Sequence, residues 1–239
     1  MDDSDLFSAP YHVPTAARPL LGLTILVVED SRYACEAMRL LCLRSGARIR
    51  RADCLRSAER HLQIYRPSVL IVDMGLPDGS GADLIEDQAH ATPRVGAILG
   101  MSGDNYAESI ALAAGADGFL AKPIRSLSTF QETVLSHLPA DRQPRGPRLL
   151  LDEEICPDPI AYRDDMAHAV DLLNEVSDRT VLNYAAQFLR GVARAAEDHA
   201  LAEAARGLSR ACARGGPLGA DTARVAGLVQ DRLQQRRAI

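Results

Sequence analysis

Lysine is almost missing from this chain: Lys122 stands alone among 239 residues, against 26 arginines. Tryptophan is absent and phenylalanine occurs four times, so alanine, leucine and valine must fill any core. Cysteine occurs five times, at 35, 42, 54, 156 and 212, with no C-x-x-C pair. An odd, scattered set excludes a disulfide framework and a ribbon-type zinc site, and reads as reduced, mostly buried small hydrophobes. No apolar run approaches the roughly 20 residues that cross a bilayer. The first residues, "MDDSDLFSAPYHVPTAARP", are acidic and broken by proline, which does not match a secretory signal. A cytoplasmic protein without a membrane partner is therefore expected. The net charge of -5 excludes a surface dominated by a nucleic-acid footprint.

What is present is an alternation. "LTILVVED" (23–30), "SVLIVDM" (68–74), "VGAILGMS" (95–102) and "GFLA" (118–121) are apolar runs fit for strands buried on both faces. "ARIRRAD" (47–53) is a weaker strand suited to a sheet edge. Helical spacing of apolar residues separates these runs, with Ser31 placed to cap the first helix and Gly46 to stop it. Strands alternating with helices imply a parallel sheet covered on both faces by right-handed crossovers. The expected fold class is α/β: a five-stranded, doubly wound parallel sheet, followed by a small all-α bundle. Residues 1–20 read as a flexible arm, 21–138 as the α/β domain and 139–157 as a linker rich in proline and charge. Residues 158–239 read as four helices with short connections, which favour antiparallel packing.

In a doubly wound sheet, ligands bind beyond the carboxyl ends of the strands. Glu29 and Asp30 close the first strand and Asp73 the third. Crowded carboxylates repel one another unless a cation holds them, and a hard divalent ion such as Mg²⁺ (or Mn²⁺) suits such a set. Ser102 and Lys122 reach the same edge from the fourth and fifth strands. Together they make a site for a metal and a phosphoryl group, with a carboxylate as nucleophile and the ammonium neutralising charge. An Asp after a strand is usually a turn former and a Lys-Pro usually a loop. The joint occurrence of five such residues at four strand ends argues against that reading.

The set "VVEDS", "VLIVDMGLPDGSG", "MSGD" and "GFLAKPI", in this order and spacing, resembles the receiver domain of bacterial two-component response regulators over residues 22–138. The resemblance implies a flavodoxin-like strand order 2-1-3-4-5. It implies Asp73 as phosphoacceptor, with Glu29, Asp30, Asp73 and the backbone carbonyl of Gly75 holding the metal. Ser102 and Lys122 contact the phosphoryl oxygens, Gly103 leaves the access path open, and Ser102 and Phe119 form the conformational switch. It further implies a sensor histidine kinase or histidine phosphotransfer protein as partner. A homodimer through the fourth helix, fifth strand and fifth helix is a second implied contact. Such a protein is a phosphoacceptor rather than an enzyme, since it promotes only its own phosphorylation and dephosphorylation. The lone lysine fits this reading, because a compact ammonium reaches where a planar guanidinium fork does not.

The second half carries less information. Residues 148–239 hold 12 arginines against 14 acids and lack a helix-turn-helix signal, so DNA is not an expected partner. The basic "RLQQRR" near the end reads as a solvated helix terminus. "LRGVARAAEDHALAEAARGLSRACARGG" resembles the helix of histidine phosphotransfer domains, with Arg206 standing at the histidine position. An alternative alignment places His199 there as the phosphohistidine. The apolar stripe of Leu172, Leu173, Val181, Phe188 and Leu189 serves either a protein partner or the bundle core. The leading expectation is a response regulator signalling by protein–protein interaction; the alternative is a DNA-binding transcriptional regulator.

Overall fold

The computed structural model describes residues 13–104, 106–146, 153–174 and 178–234. Five parallel strands form one sheet: β1 (Thr24–Val28), β2 (Arg48–Ala52), β3 (Val69–Asp73), β4 (Ala97–Ser102) and β5 (Gly118–Ala121). Their order is β2-β1-β3-β4-β5, as expected, with the arginine-rich β2 at one edge. The helices between them are α1 (Arg32–Ser45), α2 (Leu55–Ile64), α3 (Gly81–His90) and α4 (Ala107–Ala113), and α5 (Leu127–Ser136) follows β5.

Alternation along the strands divides the apolar residues between two faces. Ile25 and Val27 of β1 join a cluster with Met38, Leu41 and Phe130 from α1 and α5. Leu26 and Val28 point the other way, into a cluster with Ala58, Leu84, Ile85 and Ala111 from α2, α3 and α4. A strand buried on both sides needs apolar residues at every position, which is why these runs are continuous. Ser31 caps α1 by accepting from the Ala34 amide, and Gly46 ends it in the left-handed region at φ 84°.

Residues 1–12 of the expected arm lie outside the described residues, but Leu20 at its end is fully buried in the sheet's core. Of the expected linker, residues 147–152 lie outside them, while 153–155 run beside α5. There the Leu127 amide donates to Glu153 O and the Ile155 amide to Arg125 O, both at 2.9 Å, and Ile155 is buried.

The second half holds four helices among its described residues: α6 (Pro159–Asn174), α7 (Arg179–Ala195), α8 (His199–Arg214) and α9 (Gly219–Gln234). They share a core of their own, including Met166, Ala169, Leu173, Phe188, Leu189, Leu201, Leu208 and Val225. Of the two uses open to the apolar stripe, the bundle core takes most of it, with Leu173, Phe188 and Leu189 buried. The cysteines are all free; Cys35, Cys42 and Cys212 are buried, whereas Cys156 is exposed.

Candidate functional site

Sheet register builds the site. Val28 pairs with Val72, so Glu29 follows β1 level with Asp73 at the end of β3. Asp73 pairs with Met101, one residue before Ser102, and Ser102 pairs with Ala121, one residue before Lys122. Four adjacent strands therefore release their polar residues at one height. Lys122 sends its ammonium between two carboxylates, 2.5 Å from Glu29 Oε2 and 3.1 Å from Asp73 Oδ2. The Ser31 amide donates to the other oxygen of Glu29 at 3.0 Å. Ser102 Oγ accepts from the Asp104 amide at 3.1 Å, which folds the loop after β4 back over the strand end.

Glu29, Asp30 and Asp73 each offer an oxygen within 4.8 Å of the others. Among the described residues, Glu29 Oε2 lacks a hydrogen-bond partner although the Lys122 ammonium lies close to it. That contact is a buried ion pair at the edge of the acid cluster. One lysine does not balance three carboxylates. Burial pushes Glu29 up to about 7, against the pull of Lys122. Burial likewise raises Asp73 to about 7, and burial with the neighbouring Asp73 charge raises Asp30 to about 6. Burial opposes the charge on Lys122, but Asp73 and Glu29 outweigh it and hold the ammonium well above its ordinary value. A buried, oxygen-only cluster of three carboxylates facing one lysine fits a hard divalent cation.

Phe119 is half-buried on β5, its ring against Gly100. A Cβ at Gly100 would meet Ala111 Cβ at 2.5 Å and Phe119 Cδ2 at 3.1 Å, so the glycine makes the space that the ring and α4 share. Gly81 similarly lets α3 start against the end of β3: a Cβ there would fall 2.0 Å from Asp73 O.

Sequence reasoning missed a whole side of the site, because α6 and α7 cover it. Tyr184 donates a hydrogen bond to Asp30 Oδ2. Arg194 donates to Gly103 O, and Arg190 lies 3.4 Å from Asp104. The path expected to stay open beside Gly103 is therefore crossed by a guanidinium. Arg125, three residues after Lys122, donates to Glu197 Oε1 and Ala195 O, both at 2.5 Å. From α6, Asp165 accepts from Ser31 Oγ (2.7 Å) and from the amides of Arg32 (2.8 Å) and Tyr33 (3.0 Å). It is 1 % exposed, so this carboxylate is a second, interdomain cap on α1. Between the two halves lies a cavity of about 290 Å³, with Glu29, Asp30, Asp73, Gly75 and Lys122 below and Gln187, Arg190, Gly191 and Arg194 above. His199, exposed at the first turn of α8, is not among its lining residues. Arg206 is exposed too and pairs with Glu203.

The family model described as "Response regulator receiver domain" matches residues 25–134. Those residues are a receiver domain. The transcriptional regulatory protein CitB of Klebsiella pneumoniae is 36% identical over 107 residues, 43% of this chain and 45% of that protein. The KDP operon transcriptional regulatory protein KdpE of Escherichia coli K12 is 33% identical over 101 residues, 41% of this chain and 44% of that protein. Among solved structures, the chemotaxis response regulator CheY4 of Vibrio cholerae is 22% identical, with TM-score 0.44 over 48% of this chain and 98% of that one. The chain spans about half the length of the curated relatives it matches. The receiver match stops before α6 and does not bear on the phosphotransfer resemblance of the helical half. Two relatives carry names of transcriptional regulators, so the expectation that DNA is no partner finds no support in these likenesses.

Proposed function

We propose that this receiver accepts a phosphoryl group on Asp73 from a phosphohistidine of a kinase or phosphotransfer protein and passes the signal to the helices α6–α9. The observation that supports it best is the convergence of Glu29, Asp30, Asp73, Ser102 and Lys122 on one cavity. Glu29, Asp30 and Asp73 are the residues to hold Mg²⁺, with the Gly75 carbonyl at the same rim; bound there, the metal neutralises phosphoryl charge. Lys122 is placed to hold a phosphoryl oxygen while its ion pairs keep Asp73 oriented. Ser102, beside it on β4, supplies a hydroxyl to a second oxygen. On transfer, the donor nitrogen–phosphorus bond breaks as an Asp73 oxygen bonds phosphorus, and the bonding pair stays on the ring nitrogen, so that a ring-protonated phosphohistidine leaves as neutral imidazole. On hydrolysis, water takes the phosphorus and Asp73 leaves as carboxylate. The chain thus acts on itself and not on a metabolite.

A reading as a reduced cytoplasmic protein agrees with five free cysteines. Among the described residues, no helix is long and apolar enough to cross a membrane. The α4 surface exposes Tyr106 and Ile110, which suits the dimer contact implied for the α4–β5–α5 face. The test is phosphorylation by phosphoramidate with Mg²⁺, followed on a phosphate-affinity gel. Wild type shifts, whereas Asp73→Asn and chelator-treated wild type do not. A shift that persists in Asp73→Asn contradicts the assignment.

The names of the relatives favour a second reading, control of transcription through DNA. It predicts duplex binding by the phosphorylated chain that weakens steeply with salt. Salt-insensitive or absent retention on duplex DNA, with capture of a protein partner by α6–α9, supports the first reading instead.

A further inference from the structure

We propose that the docked helical half gates the phosphodonor: with α6 and α7 in place the acid pocket admits only small donors, and a histidine carried on a protein helix reaches Asp73 only in the fraction of molecules where those helices have lifted away. This rests on Asp73 being the phosphoacceptor.

A histidine side chain reaches only a few ångströms from its backbone. A protein donor must therefore lay its own helix, a cylinder about 10–12 Å across, directly over the pocket. α7 already lies there. Gln187, Arg190, Gly191 and Arg194 line the upper wall, and Gly191 brings the α7 backbone to the cavity. What remains is about 290 Å³, the share of roughly ten water molecules. That holds a phosphoryl group, a cation and a small leaving group, but not a second helix.

The contacts that hold α6 and α7 are made to the three loops that carry the site. Asp165 caps α1 at Ser31, directly after Asp30. Arg190 and Arg194 hold Gly103 and Asp104, directly after Ser102. Arg125, on the loop after Lys122, holds the end of α7. A protein donor therefore competes with the chain's own helices for one surface, and its apparent access is scaled by the fraction of molecules with that surface uncovered.

The experiment compares the full-length wild type with Asp165→Ala and with the double variant Arg190→Ala/Arg194→Ala. The second variant keeps the buried cap and guards against a folding defect in the first. Each is phosphorylated with Mg²⁺ by phosphoramidate and, separately, by a helical peptide bearing a phosphohistidine. The readout is the ratio of the two rates. The proposal expects both variants to shift that ratio toward the peptide by about tenfold or more. An unchanged ratio, with phosphoramidate active on all three proteins, overturns the donor selection and leaves the phosphoacceptor reading intact. Failure of phosphoramidate to modify any of the three proteins overturns the phosphoacceptor reading, and the selection falls with it.

Discussion

Lys122 and Asp73 show how a few side chains set the behaviour of the site. With burial holding Glu29 and Asp73 near 7, against ordinary values of 4.5 and 3.8, the metal-free fold prefers their protonated forms. The stability they contribute is thus fully present below about pH 4 and is lost as pH rises through about 7. Thermal melts without divalent cation are expected to show a falling Tm across that window. Mg²⁺ should oppose the fall, since it replaces the protons. By the same linkage, Mg²⁺ affinity measured by calorimetry should weaken as pH drops from about 8 to about 5. Affinity independent of pH would contradict a site built from these raised carboxyls. All five residues of the acid pocket were legible in the sequence because each stands at or within two residues of the end of an apolar strand, and strand ends of a parallel sheet gather at one edge. Tyr184, Gln187 and Arg194 were not. At spacings of three and seven to ten along α7, they look like any solvated helix face until the receiver is set against them.

Among the elements, α1 and α3 are the sensitive ones. α3 begins at Gly81 against the backbone of Asp73, and neither partner in that contact is a flexible side chain. Gly81→Ala should lower stability by about 1–3 kcal/mol, as overpacking does. It should also slow phosphorylation, because the strand end that carries the acceptor must move. Chemical denaturation and the gel assay check the two effects separately. Asp165→Ala removes three bonds from the start of α1 and should cost about 1–2 kcal/mol, the range of a lost cap. Element order and the caps at Ser31 and Gly46 could be read directly, since continuous apolar runs, helical periodicity and turn residues specify them locally, whereas the sheet order came only with the receiver resemblance. The cap from Asp165 could not. It joins residues 134 positions apart, and in sequence Asp165 is one of two adjacent acids on a helix.

Across the whole molecule, ion pairs join the two halves beside apolar contacts such as Tyr33 on Tyr162. The pairs are Arg32–Asp164 at 2.9 Å, Arg125–Glu197 at 2.5 Å and Arg190–Asp104 at 3.4 Å, besides the buried Asp165. Exposed pairs of this sort contribute roughly 0.2–1 kcal/mol each and weaken as salt screens them. Raising ionic strength should therefore speed hydrogen exchange at the Arg32 and Tyr33 amides, which face Asp165, before it affects the sheet. Equal protection at low and high salt would show that the apolar contacts between the halves dominate. Such ion pairs are hard to see in a sequence, because residues that serve them have the composition of ordinary surface.

The claim that supports all the others is the place of the phosphoryl group. Peptide mapping by tandem mass spectrometry after treatment with phosphoramidate and Mg²⁺ tests it most directly. The account predicts one phosphoryl group per chain, on the peptide that contains Asp73. A phosphoryl group on His199, or elsewhere with Asp73 unmodified, would contradict it.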